Sequence, residues 1–230
     1  MALVSSLVSA YYAVDYLEGR LDNLAEQDVH PEIIVICKAE SKEHELTLRW
    51  SARSSYEDLK IVLTKDIPTV YAAWNMGWAQ ATGRYVGNAN SDDRFYPDAL
   101  SRLAKLLDTT PTAAITYADV DIVKEIDGPP VNRFTWGTGD LQVLLKGCFV
   151  GPMPLWRNKL AAKYGMFDES FHSSGDYEYW MRLLSQGERA VKLTDFVCGR
   201  YLLRNDSIEH RLGVRAVWET ARARARYRKD

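Results

Sequence analysis

Short apolar runs alternate with helix-like segments along the first half of the chain. The runs cover residues 2–12, 33–37, 59–63 and 113–117, and their length and composition are typical of strands buried in a parallel sheet. Strands that alternate with helices predict a doubly wound, mostly parallel sheet with right-handed crossovers. The predicted fold class is therefore α/β, with a Rossmann-like sheet followed by a smaller β/α region.

Predicted helices separate these strands, and particular residues mark their ends. Asp15 is expected to cap the first helix, with Glu18 three residues later. Residues 70–83 predict a helix of small side chains that Gly83 closes. Pro97 is expected to open another helix, because its missing N–H and fixed φ suit a first helical turn.

Two adjacent carboxylates, Asp92 and Asp93, stand between a short strand and the helix expected at Pro97. This order places them at the carboxyl edge of the sheet, where open α/β sheets bind ligands. Neighbouring carboxylates there can hold a hard divalent cation that neutralises a diphosphate. The same residues also suit an Asx turn followed by a helix cap, which needs no metal. Both interpretations stay open on these residues alone.

A further carboxylate, Asp176, follows the polar loop of residues 168–175 and begins a helix. Tyr177, Trp180 and Leu184 fall on one face of that helix. A carboxylate at a helix N-terminus is favoured by the helix dipole, which keeps it ionised and available as a general base. Asp is also a common N-cap, so a purely structural role is the alternative.

The charge balance excludes some classes of function. A formal net charge of −2 over 230 residues argues against nucleic-acid binding, which needs a clustered positive field. Three widely separated cysteines match neither a disulfide framework nor a zinc site, which favours a cytoplasmic location. Residues 214–230 carry six Lys or Arg against two acidic residues. This basic helix or tail is a candidate for peripheral membrane contact, although a solvated end is the commoner case.

A series of short motifs occurs in order between about residues 3 and 200. The series consists of Ser9-Ala10-Tyr11-Tyr12, Tyr16-Leu17-Glu18, Ala73-x-Asn75-x-Gly77 with Ala79, Ala81, Gly83 and Tyr85, Asn90-Ser91-Asp92-Asp93 with Pro97 and Leu100, Tyr117-Ala118-Asp119, Gly165-Met166-Phe167-Asp168, and Gly175-Asp176-Tyr177-Glu178-Tyr179-Trp180-Met181-Arg182. In this order the motifs resemble family 2 glycosyltransferases of the GT-A fold. The resemblance implies one such domain over residues 1–213, with a nucleotide-sugar-binding half at 1–120 and an acceptor-side half at 121–213.

The resemblance also implies residue roles. The implied reaction moves a sugar, with inversion, from a nucleotide-diphosphate sugar to a hydroxyl of an unknown sugar, lipid or protein acceptor. Asp92 would ligate a divalent metal, Mn²⁺ or Mg²⁺, and Asp93 would contact the metal or the donor sugar. Asp176 matches the general base, and Tyr11 matches a residue that lines the base pocket. His210 would supply a further metal or phosphate contact.

Other implied donor-binding positions include departures from the family pattern. Asn75 belongs to a matching motif, whereas Asn90 replaces the first Asp of the Asp-x-Asp motif and removes one charge. Cys37 and Lys38 stand where the family has carboxylates that recognise the nucleobase. A lysine cannot accept a hydrogen bond from the imide N–H of uracil. We therefore predict weak or unusual nucleobase selectivity.

Two other functions stay open on the sequence. The altered positions Lys38 and Asn90 favour a catalytically impaired nucleotide-sugar-binding module, whereas the intact Asp92, Asp93 and Asp176 oppose it. A nucleotidyltransferase would share the fold. Residues 9–15, however, contain neither the glycine nor the lysine of its phosphate-binding loop.

Overall fold

The computed structural model describes residues 2–204 and 212–228. Its strands are β1 (Val4–Ala10), β2 (Glu32–Lys38), β3 (Leu59–Thr64), β4 (Tyr85–Asn88), β5 (Arg94–Phe95), β6 (Ala113–Val123), β7 (Asn132–Phe134), β8 (Leu155–Arg157) and β9 (Arg189–Leu202). Its helices are α1 (Leu17–Ala25), α2 (Lys42–Ser54), α3 (Val70–Trp78), α4 (Ala99–Thr109), α5 (Leu141–Leu144), α6 (Leu160–Tyr164), α7 (Gly175–Ser185) and α8 (Val214–Ala225).

The described strands form one mixed sheet in the order β3-β2-β1-β4-β8-β6-β9-β5, with β7 paired to β6. Strands β1 to β4 are parallel to one another, and β8 lies antiparallel between β4 and β6. Ala10 pairs with Cys37, and Lys38 pairs with Thr64. The carboxyl ends of the parallel strands therefore meet at one edge of the sheet, as predicted. The α/β class with a Rossmann-like sheet is confirmed.

The sheet is buried on both faces. Leu7 of β1 belongs to a core shared with residues of α3, β8 and α7, whereas Val8 belongs to a core shared with α1, α2 and α4. Successive side chains of a strand point to opposite faces, so a strand covered on both sides needs a nearly continuous apolar sequence. This is why apolar runs mark these strands.

An aromatic cluster joins α7 to the sheet. The ring centroid of Trp156 on β8 lies 5.3 Å from that of Trp78 on α3 and 5.6 Å from that of Trp180 on α7. Phe167, in the loop before α7, has its ring centroid 4.9 Å from that of Tyr179. Aromatic pairs of this kind contribute about 0.5–1.5 kcal/mol each beyond area burial. The cluster fixes the position of α7 on the sheet.

Two helices begin later than predicted. The N-cap of α1 is Tyr16 rather than Asp15, and no side chain caps it. The carbonyl of Ala13 accepts the N–H of Tyr16 at 2.9 Å, so a backbone turn leads into this helix instead. Helix α4 begins at Ala99 rather than at Pro97, which lies in the preceding turn.

The predicted end of α3 at Gly83 is wrong. The helix ends at Trp78. Gly83 instead lies against β1, where a Cβ atom on it would be 2.7 Å from the backbone nitrogen of Ser5. Its N–H donates to Ser5 Oγ at 2.9 Å. The glycine thus permits a close approach of two backbones rather than a helix end.

Strand β6 runs from Ala113 to Val123, beyond the predicted residues 113–117, because it pairs with β7, β8 and β9. Buried acidic residues on it have cationic partners: Asp119 lies 2.8 Å from Lys192, and Asp121 lies 2.8 Å from Arg133. The strand crosses the proposed boundary at residue 120, so the two predicted halves share one sheet. Their functional division stays a prediction.

The C-terminal helix α8 packs against α7. Its residues Glu219 and Ala223 are fully buried, so this part of the basic tail is a docked helix. Of the helices described, none is long and apolar enough to cross a membrane.

Candidate active site

The acidic turn follows β4 at the carboxyl edge of the sheet. Asp93 is 1% exposed. Its Oδ2 accepts from Asn90 Nδ2 at 3.1 Å, and its Oδ1 accepts from the N–H of Leu202 at 3.2 Å. Burial, with a further contribution from the charge of Asp92, raises the pKa of Asp93 to about 7. The carboxyl group of Asp93 therefore lies behind the turn and joins it to the end of β9.

Asp92 is the more accessible carboxylate of the pair. Its side chain is 27% exposed, and its Oδ2 lies 3.1 Å from Nη1 of Arg204. The Arg204 guanidinium also stacks over the ring of Tyr16, 4.7 Å from its centroid. A cation thus already faces the carboxylate that the sequence assigns to a metal.

Two more arginines lie around the turn. Arg20 is fully buried on α1, where its Nε donates to the carbonyl of Asn90 at 2.8 Å. Its Nη2 is buried with no hydrogen-bond partner, and burial lowers the pKa of Arg20 to about 9. Arg94 Nη1 donates to the carbonyls of Ser91 and Asp93 at 2.8 and 2.7 Å. Arg20 and Arg94 thus bind carbonyls of the turn and Arg204 binds the Asp92 carboxylate, so the turn lies in a positive environment that suits anionic ligands.

An open cleft of about 540 Å³ is lined by Arg204, the partner of Asp92. Its lining includes Arg204, residues 14–16 and the first two residues of α2. Tyr11 and Tyr12, at the end of β1, are 45% and 68% exposed, and their ring centroids are 4.3 Å apart. Lys38 is exposed at the end of β2. The predicted donor residues Tyr11 and Lys38 thus lie at the same sheet edge as the acidic turn.

Asp176 is the second residue of α7, whose N-cap is Ser174. The N-cap alternative for Asp176 is therefore wrong. Its Oδ1 accepts from Tyr71 Oη at 3.0 Å and from the N–H of Tyr177 at 2.8 Å. Tyr71 is buried, which raises its pKa well above the usual value, so its hydroxyl remains a donor. The half-buried Asp176 carboxylate is thus oriented by a protonated tyrosine at a helix N-terminus.

Tyr71 shows where this carboxylate lies in the fold. It is the second residue of α3, and α3 follows the carboxyl end of β3 after a short connection. The start of α3 therefore lies at the carboxyl edge of the sheet, as do the ends of β1, β2 and β4. Because Asp176 contacts Tyr71, the two predicted carboxylate positions share this edge, although 84 residues separate them in sequence.

Comparison with known proteins agrees with this arrangement. A family model described as glycosyl transferase family 2 matches residues 5–164. The chain belongs to glycosyl transferase family 2. An uncharacterized glycosyltransferase of Rickettsia prowazekii is 25% identical over an alignment of 189 residues that covers 78% of this chain and 58% of that protein. The enzyme class predicted from the sequence is confirmed at the level of the family.

Solved structures share the fold of this family 2 chain. S. aureus TarS 1–349 in complex with UDP superposes with a TM-score of 0.73 at 18% identity, over 97% of this chain and 64% of that chain. Mannosyltransferase PcManGT of Pyrobaculum calidifontis, in complex with GDP-Man and Mn²⁺, gives 0.73 at 20% identity, over 99% of this chain and 65% of that chain. The GT-A fold is confirmed. The chain spans about 58–65% of the length of these relatives.

The metal site implied for this family 2 chain depends on Asp92. Within residues 2–204 and 212–228, no group of three or more His, Cys, Asp or Glu is arranged to hold a metal ion. The predicted contact His210 lies outside those residues. Asp93 is buried with both oxygens hydrogen-bonded, which leaves Asp92 as the accessible acidic oxygen donor of the turn. Magnesium-type sites often use one or two carboxylates together with substrate phosphates. The residues present fit such a shared site rather than a closed protein cage.

Asn75 connects α3 to the loop before α7. Its Nδ2 donates to the carbonyl of Phe167 and to Glu169 Oε1, both at 2.9 Å, and its Oδ1 accepts the N–H of Phe167 at 3.0 Å. The side chain therefore stabilises the approach to Asp176. Its contact with a donor stays a prediction.

The sequence interpretation missed Arg20, Arg204 and Tyr71. Arg20 had a local signal, because it stands three residues after Leu17 and four before Leu24, in the apolar stripe of α1. A charged residue in such a stripe is buried only with partners. Arg204 and Tyr71 carry no comparable signal, since they act on residues about a hundred positions away.

Proposed function

We propose that this family 2 chain transfers a glycosyl group, with inversion, from a nucleotide-diphosphate sugar to an acceptor hydroxyl. The observation that supports this most is the convergence of the acidic turn and Asp176 at one sheet edge, together with an open cleft lined by Arg204, the partner of Asp92. The two positions offer different chemistry. The turn combines one accessible carboxylate with arginines, whereas Asp176 is an oriented carboxylate that can accept a proton.

In this mechanism, the acceptor oxygen attacks the anomeric carbon as the bond from that carbon to the diphosphate oxygen breaks. Asp176 accepts the hydroxyl proton, and the nucleoside diphosphate leaves with the bonding electron pair. Attack opposite the leaving group in a single displacement inverts the anomeric centre. Arg204 at the cleft is placed to contact the developing negative charge of the leaving group.

A divalent cation, Mn²⁺ or Mg²⁺, held by Asp92 and the donor phosphates would supply further charge stabilisation. The Mn²⁺ complex of PcManGT supports this assignment by analogy. Asp93 and Asn90 would support Asp92 from behind, and His210 is kept as a further candidate contact. Arg204 competes with the cation for Asp92, so we expect metal affinity to be modest without donor.

The donor base is expected to lie near Tyr11 and Lys38. TarS was solved with UDP and PcManGT with GDP-Man, so related folds accept different bases. With Lys38 at the end of β2, we expect the affinity for UDP to exceed that for the next nucleoside diphosphate by less than about a hundredfold, or about 2.7 kcal/mol. Titration calorimetry with UDP, GDP, ADP and CDP measures this ratio, and a larger preference for UDP would contradict the proposed role of Lys38.

The decisive experiment is donor hydrolysis by the purified chain across UDP-, GDP-, ADP- and CDP-sugars, with Mn²⁺, with Mg²⁺ and with chelator. We expect slow release of the nucleoside diphosphate from at least one donor, faster with metal. The α- or β-configuration of the released sugar, followed by NMR before mutarotation, reports inversion or retention. Absence of release from every donor would contradict the proposal.

A second candidate is a nucleotide-sugar-binding module with impaired catalysis. The pairing of Asp92 with Arg204 and the raised pKa of Asp93 favour it, because both weaken the negative field of the turn. The same experiment separates the two functions. Micromolar donor binding without hydrolysis or transfer would support the module.

The exposed side of α8 suits peripheral contact with an anionic membrane. Val214, Val217 and Trp218 are 88%, 71% and 60% exposed; Arg215 follows Val214 in the chain, and the Arg222 guanidinium lies 5.7 Å from the ring centroid of Trp218. An apolar stripe flanked by arginines is typical of helices that lie in a membrane interface. The thiols of Cys37 and Cys198, buried and without a disulfide, support a reducing compartment, and we place the reaction at the cytoplasmic face.

Vesicle sedimentation tests this contact. We expect binding to vesicles with 30% phosphatidylserine and none to pure phosphatidylcholine. Trp218→Asp should abolish binding, whereas Leu48→Asp, a change at an exposed leucine of α2, should preserve it. Equal binding by both variants would exclude α8 as the contact.

A further inference from the structure

Glu219 on α8 is a fully buried carboxylate that faces the start of α7. Its Oε2 accepts the backbone N–H groups of His172, Ser173 and Ser174 at 2.9, 2.8 and 3.4 Å. Arg215 Nε donates to Oε1 at 3.1 Å. A side chain from a separate helix thus binds three consecutive N–H groups of the loop that leads to Asp176.

The carboxylate is charged in this position. Burial by itself would raise the pKa of Glu219, but the N–H groups of His172 and Ser173, together with Arg215, lower it below its usual value. Arg215 also reaches His172 Nδ1 at 2.6 Å. Both the backbone of residues 172–174 and the side chain of His172 therefore contact α8.

Glu219 binds the segment that leads into α7 rather than the N–H groups of the helix itself, which begin at Gly175. The first N–H groups of a helix lack intrahelical partners and are usually satisfied by a side-chain cap. The N-cap residue Ser174 makes no such cap bond. Its Oγ lies 3.0 Å from Thr220 Oγ1 on α8 instead. Tyr71 Oη lies 2.6 Å from the carbonyl oxygen of Ser173 and 3.0 Å from Asp176 Oδ1, so the two acceptors share its single proton. The loop is thus held from α8 on one side and from α3 on the other.

We propose that Glu219 is a positioning residue for Asp176: it orders residues 172–174 and so fixes the direction of the Asp176 carboxylate. The inference depends on the proposed role of Asp176 as the general base. Misplacing a catalytic group by about 1 Å can cost about a hundredfold in rate. Loss of the Glu219 charge should therefore lower turnover while donor binding is preserved.

The test compares Glu219→Gln with Tyr227→Phe. Tyr227 Oη donates to Glu178 Oε1 at 2.5 Å, further along α7, so the control also removes a contact between the C-terminal segment and α7 but spares the loop. In hydrogen exchange, we expect the amides of residues 172–174 to lose protection in Glu219→Gln and to keep it in Tyr227→Phe. For donor hydrolysis, we expect Glu219→Gln to lower kcat about ten- to a hundredfold at a donor KM within about twofold, and Tyr227→Phe to change kcat less than twofold.

A double-mutant cycle then separates positioning from general destabilisation. If Glu219 acts through Asp176, the variant Asp176→Asn/Glu219→Gln should be no slower than Asp176→Asn within about twofold. Additive losses, or unchanged exchange of residues 172–174 in Glu219→Gln, would overturn the inference. If Glu219→Gln fails to fold, Glu219→Asp keeps the charge but shortens the side chain and is expected to give the same pattern at smaller size.

Failure of the proposed function has a different signature. Near-normal hydrolysis by Asp176→Asn, or no hydrolysis by the unmodified chain, counts against the general base or the activity. The exchange measurement does not depend on activity and still decides whether Glu219 orders the loop.

Discussion

Asp93 is 1% exposed in a turn surrounded by arginines, whereas Asp176 is half-buried in the first turn of a helix, with a tyrosine on its carboxylate. At the turn, burial raises the pKa of Asp93 to about 7. At α7, the supporting carboxylate Glu219 has its pKa lowered by N–H donors despite burial. The two positions lie at one sheet edge, but burial and neighbouring charges dominate at the acidic turn, whereas hydrogen bonds that orient the loop dominate at α7.

The comparison indicates how each position tolerates change. The acidic turn is a balance of charges, so changing one member should alter ligand affinity and protonation over a wide range. At the start of α7, function is expected to depend on the orientation of the Asp176 carboxylate, because each contact around it fixes a backbone or side-chain orientation. Variants there should alter turnover at nearly constant affinity.

The largest effect is expected at Asp176, where the loss of a correctly oriented base is compared with the loss of a charge elsewhere. Asp176→Asn keeps the shape of the side chain but removes the base, so hydrolysis or transfer should fall by about 10²- to 10⁴-fold while donor affinity stays within about threefold. Asp98→Asn, at the N-cap of α4, removes the same charge away from the cleft and should have little effect. Kinetics paired with calorimetry measure both quantities, and a parallel loss of affinity would show that Asp176 binds donor.

The second effect concerns affinity at the turn. Asp92→Ala removes the accessible carboxylate and its ion pair with Arg204, so the gain in donor affinity that Mn²⁺ provides should vanish. Because the metal loses one carboxylate ligand, we expect the donor Kd measured with Mn²⁺ to rise about ten- to a hundredfold, or about 1.4–2.7 kcal/mol. Calorimetric titration of donor with Mn²⁺ and with chelator measures it. If donor affinity in Asp92→Ala depended on Mn²⁺ as it does in the unmodified chain, Asp92 would not be a metal ligand.

The third effect is the pH dependence of the free energy of unfolding, to which Asp93 and Glu219 are expected to contribute with opposite signs. Because folding raises the pKa of Asp93, the folded state binds its proton more tightly than the unfolded chain does. This group therefore lowers the free energy of unfolding as pH rises from about 4 to about 7. Glu219 changes the free energy of unfolding in the opposite direction, because folding lowers its pKa. Its stabilising contribution is fully present above its ordinary pKa of 4.5 and is lost as the pH falls below that value.

Carboxyl-carbon NMR of the metal-free chain measures both. We expect Asp93 to titrate with a midpoint near 7, and Glu219 to stay ionised down to below pH 4.5. Between pH 7 and 5, the amides of residues 172–174 should keep their protection. A midpoint for Asp93 near that of an exposed aspartate, about 3.9, would show that the turn is hydrated rather than buried.

The same difference explains what the sequence could predict. Short apolar runs identified the strands β1, β2 and β3, because a strand buried on both faces needs a nearly continuous apolar sequence. The order of motifs singled out Asp92 and Asp176, whose roles stay predictions. The three-residue strand β8 is too short for a periodic signal, although it pairs antiparallel with β4 and β6. Contacts such as Glu219 with Ser173, or Arg204 with Asp92, join distant segments through tertiary packing. No local pattern in one sequence specifies such pairs.

The smallest expected effect tests whether Arg204 competes with a cation. Its guanidinium lies 3.1 Å from Asp92, and the two side chains are 17% and 27% exposed. Partly exposed ion pairs contribute about 0.2–1 kcal/mol, so Arg204→Gln should raise the Mn²⁺ affinity of the donor-free chain by no more than about fivefold. The same variant should weaken donor binding, because it removes a positive charge from the cleft.

A general loss of positive charge near the cleft would also favour Mn²⁺ and disfavour an anionic donor, so a control at another arginine is needed to show that competition at Asp92 is the cause. Arg102→Gln is the matched control, since Arg102 pairs with Asp98 on α4 at 2.5 Å, outside the turn. It removes the same charge and should change neither affinity measurably. If Arg204→Gln leaves Mn²⁺ binding unchanged in calorimetry while donor binding weakens, the guanidinium serves the diphosphate alone. The positive environment of the turn would then assist the leaving group without opposing a metal.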